Sequence, residues 1–253
     1  MFKVKYVTAL LTAALCLSAL ADDEAEILPY RPTVSNPAQL PTPGQLEFEF
    51  GGLESKSGAA KRGSLPYLFK LAIDDKWGVL LGGEALVHSA DNGETESGIG
   101  DTTVTLKRFF PVDEKTALGL EFDVKSPTAK TPLGTGKADY GINGIVSRDL
   151  GPVHMDTNLN FTHIGSADPI SGTVQTGLSA SFSFPVSDQW GLDVEPSGTH
   201  RNGVPDTAQF LVAATYSPSK HLTLDIGIIR GLNAATPDWA IFSGIVIPVT
   251  KLW

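Results

Sequence analysis

The sequence predicts an all-β chain closed into a membrane-spanning, up-and-down antiparallel β-barrel of about twelve strands. Three observations carry that prediction. From Gln45 onward, apolar and polar residues alternate with the period of two that belongs to strands with two unlike faces. The links between these segments are rich in Pro, Gly and Asp, and they alternate in length. Beyond residue 21 no run approaches the ~20 apolar residues of a transmembrane helix, which excludes a helical transporter. Composition agrees: 253 residues, 42% hydrophobic and 19% charged, with 26 Gly and 17 Pro, are too apolar for disorder and too polar for a helical membrane protein.

Residues 1–21 read as a secretory signal peptide. Lys3 and Lys5 precede an apolar core over 7–20, and Ala19-Leu20-Ala21 supplies the small residues a signal peptidase reads before Asp22. Cys16, the single cysteine, falls within the removed segment, and Leu15 before it does not suit a lipoprotein signal. The mature chain then has no thiol for a disulfide, a metal site or a nucleophile. Without Lys3 and Lys5 it carries 17 basic against 28 acidic residues, a net charge of −11, which argues against nucleic acid as a partner.

Residues 22–44 carry Pro29, Pro32, Pro37, Pro41 and Pro43, a density that removes donors and fixes φ. This leader reads as an extended periplasmic tether in preference to a plug, with the choice left open. The barrel follows over 45–253, with strands expected at about 45–55, 64–73, 77–89, 101–110, 117–125, 138–149, 153–164, 173–184, 189–199, 206–217, 221–230 and 238–253. In 117–125, Leu118, Leu120, Phe122 and Val124 point one way and Gly119, Glu121, Asp123 and Lys125 the other. Short links at 74–76, 111–115, 150–152, 185–188 and 218–220 take turns with longer ones at 56–63, 90–100, 128–137, 165–172, 200–205 and 231–237. One trimmed end and one elaborated end is the pattern of an outer-membrane barrel, whereas a Greek-key sandwich has no reason to show it. Trp190, Phe184, Tyr216 and Trp253 fall beside the short turns, and Tyr67, Tyr140, Phe161 and Trp239 toward the long loops, as two interface girdles would require.

A charge facing lipid near the midplane costs about 2–4 kcal/mol for Lys or Arg, so the polar face must point inward. That places Glu47, Glu49, Glu84, Asp101, Glu121, Asp123, Asp139, Asp156, Asp193, Glu195 and Asp225 in the lumen, with Lys70, Lys107, Lys125 and Asn158. An open lumen so lined would face solute and favour cations. A packed, salt-bridged interior without a pore is the alternative, because twelve strands lie between a filled barrel and a channel. Arg108 and Arg148 break parity beside short turns, where they can reach headgroups.

Catalytic and metal arrangements are wanting. His88 and Ser89 are strand neighbours facing opposite sides; His163 and Ser166 lack a placed carboxylate; His154 with Asp156, and His221 with Thr223 and Asp225, offer too few ligands for a metal. Gly134-Thr135-Gly136-Lys137 lacks the other parts of a phosphate loop. No enzyme, cofactor or metal is expected.

The run Gly98-Ile99-Gly100-Asp101-Thr102-Thr103, ending in Lys107-Arg108-Phe109, resembles the signature of the bacterial outer-membrane proteins named after the meta-pathway of phenol degradation. So do Gly231-Leu232-Asn233 and Pro237-Asp238-Trp239, and the resemblance extends from about Arg31 to Trp253. It implies a Gram-negative outer-membrane barrel that passes small organic molecules, distantly similar to the long-chain fatty acid transporter group. Asn36-Pro37-Ala38 is similar to a tripeptide in the amino-terminal hatch of that group, whose barrels have more strands than are counted here. The partners expected are outer-membrane lipid, a small solute and the barrel-assembly machinery, which favours a terminal aromatic such as Trp253 on the parity of Ile245, Ile247 and Val249. A channel for small organic solutes is preferred, ahead of a structural or adhesion barrel and an outer-membrane enzyme.

Overall fold

The structure, a computed structural model, describes residues 25–168 and 170–253. The expected signal peptide and Cys16 lie outside the described residues. The strands are β1 (Gln45–Ser57), β2 (Ala60–Ala72), β3 (Trp77–Asp91), β4 (Glu94–Gly98), β5 (Thr102–Pro111) and β6 (Thr116–Ser126). They continue with β7 (Asp139–Leu150), β8 (Val153–His163), β9 (Val174–Pro185), β10 (Trp190–Arg201), β11 (Val204–Ser219), β12 (Leu222–Gly231) and β13 (Trp239–Lys251). Sequential neighbours pair antiparallel, β5 takes its place beside β3, and β1 pairs with both β2 and β13, so twelve strands close into a barrel. The thirteenth, β4, pairs with the outer half of β3 and forms a hairpin above the ring. Closure satisfies backbone donors that a free edge would leave exposed.

Burial follows the alternation with its sense inverted relative to a water-soluble sheet. In β6, Glu121 is 2% exposed while its neighbour Phe122 is 41% exposed. The same holds around the ring, with Leu106, Ile142, Leu159, Leu178, Val212, Ile226 and Ile241 outward and exposed. A continuous exposed apolar band around a polar interior is the arrangement that lipid requires. Arg108, one of the parity breakers, lies on the outer surface between the rings of Trp77 (4.9 Å) and Phe110 (5.1 Å). Trp190 and Tyr216 pack with tilted rings across β10 and β11, centroids 4.6 Å apart, beside the short turns.

Two expected long links are corrected. The spans 56–63 and 200–205 are mostly strand, and the turns are the two-residue pairs Gly58-Ala59 and Asn202-Gly203. Gly58 and Gly203 take φ of +58° and +76°, the left-handed region that tight hairpins need. Polar residues such as Lys56 and Lys61 read as loop, yet they pair in register above the apolar band, where water can solvate their side chains. The 90–100 link likewise holds β4, entered through Asn92 and Gly93, both at positive φ. At the opposite end, Asp74 and Asp113 close turns by accepting the amides of Lys76 and Lys115, each at 2.8 Å. Those amide bonds, foremost, hold both carboxyls below their ordinary range.

Residues 27–43 lie inside the barrel, which corrects the tether expectation. The segment enters at the short-turn end, where the Ile27 amide bonds to the Lys220 carbonyl between β11 and β12. It climbs to Asn36 at mid-depth, and returns to bridge Pro43 with Ala72 at the end of β2. Prolines suit this path because each removes a donor that would otherwise need an acceptor within the lumen.

Candidate functional site

The site is the lumen, built from inward residues of the twelve barrel strands around residues 27–43. On β1 and β2, Lys70 lies between Glu47 (3.0 Å) and Glu49 (2.6 Å) and also donates to the Leu28 carbonyl. Register explains the grouping: Glu47 stands directly opposite Lys70, and Glu49 follows two residues along the same face. The two carboxylates then accept from the segment's backbone, Glu47 from Leu28 at 3.1 Å and Glu49 from Tyr30 at 2.7 Å and Arg31 at 3.2 Å.

Across the lumen Glu195 of β10 accepts the amides of Val34 (2.6 Å) and Ser35 (2.7 Å) and the Ser35 hydroxyl (2.5 Å). Asn158 of β8 accepts from the Asn36 amide at 3.0 Å and donates to its carbonyl at 2.9 Å. Asn36 donates in turn to both oxygens of Glu121 at 3.1 Å. Lys107 pairs with Glu121 at 3.0 Å and donates to the Pro37 carbonyl, while Ser147 of β7 accepts the Ala38 amide at 2.7 Å. Ala38 packs against Ala117 and Ile145, and a second apolar patch on the inner wall gathers Leu211, Ala213 and Phe242. Tyr30 sits at the centre, its ring facing the ammonium of Lys70 at 4.5 Å and that of Lys107 at 4.2 Å.

Arg31 makes the one charged side-chain contact of the segment with the wall, a bidentate pair with Asp225 of β12 at 2.8 and 2.9 Å. It lies over Gly51 and Gly244, paired across β1 and β13, and a Cβ at Gly51 would come within 2.8 Å of the guanidinium. The glycine pair is thus a slot cut for the flat guanidinium.

Above mid-depth the remaining predicted residues form a separate network. Lys125 bridges Asp139 (2.7 Å) and Asp101 (3.4 Å), Asp123 accepts from Thr105 (2.5 Å), and Glu84 pairs with Arg62 (2.6 Å). Near the short turns Asp156 takes bonds from Ser147 and His154, and Asp193 from Ser183 (2.5 Å). All the predicted lumen residues therefore belong to the interior, but Glu47, Glu49, Lys70, Lys107, Glu121, Asn158, Glu195 and Asp225 touch the chain's own segment. Eight of the residues expected to face solute thus face the chain's own segment.

Sequence reasoning missed Tyr30, Arg31, Ser35, Arg62 and Ser147. One signal was available: Arg31 is the single basic residue of 22–44, opposite a wall with far more acids than bases. The hydrogen bond of His88 is to Ser97 (2.8 Å), across the β3–β4 hairpin. Among the described residues no group of three or more His, Cys, Asp or Glu could hold a metal.

No known family and no curated protein matches the chain. Solved structures do. An outer-membrane channel from Pseudomonas putida F1 superposes with a TM-score of 0.65 at 16% identity, over 91% of this chain and 100% of that one. The NanC porin gives a TM-score of 0.60 at 8% identity, over 80% of this chain and all of its own. The KdgM porin gives 0.52 at 7%, over 81% and 99%. The fold is that of outer-membrane channels and porins.

Proposed function

We propose that this protein is a channel of the Gram-negative outer membrane for small organic solutes, its lumen narrowed from the short-turn end by residues 27–43. The observation that carries the reading is the predominance of ionisable and hydroxyl side chains in the interior, inside an apolar outer band. A structural barrel would be stabilised as well by an apolar filling, and more cheaply, since buried ions must recover their desolvation cost. Export through a cleaved signal peptide and insertion by the barrel-assembly machinery belong to the same reading. So does membership of the meta-pathway family, which the quoted motifs support.

The many bonds to the segment favour a second reading, a closed structural barrel. Planar-bilayer recordings decide between them. Single-channel steps with the full chain, enlarged when residues 25–43 are deleted, are the expected outcome. Silence from both proteins, with heat-modifiable migration showing that they are folded, would leave the structural barrel.

A further inference from the structure

Lys125, near the end of β6, stands in register with Asp139, the first residue of β7, so their 2.7 Å ion pair ties together the two feet of the link 127–138. The same ammonium meets Asp101, between β4 and β5, at 3.4 Å. Each carboxylate divides its oxygens in the same way. Asp101 turns Oδ2 to Lys125 and accepts the Ala129 amide on Oδ1 at 3.0 Å. Asp139 turns Oδ2 to Lys125 and accepts the Gly165 amide on Oδ1 at 2.9 Å. Gly165 in turn lies against the Ala138 carbonyl and braces the second foot. One lysine therefore holds both carboxylates that fasten the link and its brace. Above its feet the link leans across the rim, leaving β6, passing β5 and meeting the wall of β2 to β4. Leu133 lies against Gly98, where a Cβ would stand 2.9 Å from its Cδ1. A cavity of about 370 Å³ separates Pro132 and Leu133 from Arg62, Ser89 and Glu96. Among the described residues, the link's hydrogen bonds to the wall are those of Thr128, to Gly100 and Thr102 at 3.1 Å, and of Ala129 to Asp101. All lie at the first foot.

We propose that the link 127–138 is a lid on the outer mouth and that Lys125 is the positioning residue that latches it. Both aspartates lie within 3.4 Å of one ammonium, so without it two like charges stand side by side and the anchor of Ala129 loosens. The lid then swings from the rim on its two feet. The Lys125 side chain is 27% exposed and each aspartate 12%, so salt in the mouth reaches the latch. What the lid controls rests on the channel reading; how it is held does not.

The test is hydrogen exchange of the full chain in detergent, read at Ala129 and Gly165, with heat-modifiable migration confirming each barrel. Lys125→Met should quicken both amides about threefold or more, the worth of a half-exposed ion pair, while amides of Phe122 and Ile142 keep their protection. Lys125→Arg, which keeps the charge and the reach, should restore both. Molar salt should quicken the same two amides in the full chain and leave Lys125→Met unmoved. In planar bilayers Lys125→Met should step more often between conductance levels. The double variant Gly98→Cys, Leu133→Cys should lose such steps when its thiols are oxidised and regain them on reduction, an effect that a merely structural brace would not produce. Unchanged exchange in folded Lys125→Met, or a change at one of the two amides alone, overturns the latch. Steps that ignore the cross-link overturn the lid. Silent bilayers with quickened exchange sink the channel reading and leave the latch standing.

Discussion

Arg31 shows how much of this interior depends on single atoms. Its guanidinium reaches the fully buried Asp225 carboxylate only because Gly51 and Gly244 leave room for it, and any β-carbon at Gly244 would fall inside van der Waals contact with it. Gly244→Ala should therefore cost about 1–3 kcal/mol as an overpacking change, read as a lower unfolding midpoint in detergent. In a background of Arg31→Ala the same substitution should cost little, because the clash has gone. Additive costs in that double-mutant cycle would show that the slot does not exist. At the short turns the chemistry is more ordinary. Asp74 and Asp113, held low by turn amides, contribute stability that is present above their unfolded pKa and lost as pH falls through the lower folded one. Carboxyl titrations followed by NMR should place both midpoints below the ordinary aspartate value of about 3.9.

Among the elements, the amino-terminal segment is the one held by side chains reading backbone. Glu195 takes two consecutive amides, Val34 and Ser35, which no neutral side chain could do with equal strength. Glu195→Gln keeps the shape and removes the charge, so exchange of those two amides should quicken about tenfold or more in native-state hydrogen exchange, while amides of β10 keep their protection. Unchanged exchange would mean that the segment is held elsewhere. Gly44 marks where the segment becomes β1: it has φ of +80°, and a Cβ there would stand 2.6 Å from the Trp253 carbonyl oxygen, so only glycine fits the hinge. The strands themselves were legible, because lipid outside and polar contacts inside impose a strict period of two that each segment shows on its own. The inward set from Glu47 to Asp225 was legible for the same reason. The path of residues 27–43 was not. A Pro-rich extended stretch has one local signature whether it lies in water or in a lumen, and its partners stand far off in sequence, 160 residues from Ser35 to Glu195 and 194 from Arg31 to Asp225. Even so, a leader with one arginine opposite an acid-rich wall held the necessary hint.

For the whole molecule, the charge that matters is what the interior keeps after its own pairings. Among the described residues, the inward basic side chains paired with carboxylates include Arg31, Arg62, Lys70, Lys107 and Lys125, with His154 on Asp156 near the short turns. Glu47 and Glu49 share Lys70, and Asp101 and Asp139 share Lys125. Glu195, Asp123 and Asp193 are met by neutral donors alone in the hydrogen bonds above. A negative surplus therefore survives the segment, and in a narrow enclosure with low-dielectric walls it concentrates the field on whatever passes. Reversal potentials across a bilayer under a salt gradient should report cation preference for the full chain. Deleting residues 25–43 removes Arg31 and frees Glu195, so the preference should strengthen as conductance rises. Glu121 is a poor place to probe this, since replacing it would strand the buried Lys107. Asp123, met by Thr105 alone in the outer half, is the better one: Asp123→Asn should weaken the preference with the barrel intact. The preference should also fade toward molar salt, where the screening length shrinks to about 3 Å. Anion preference in the full chain would mean that current bypasses these carboxylates, and a deletion that leaves selectivity unchanged would mean that the segment does not border the ion path.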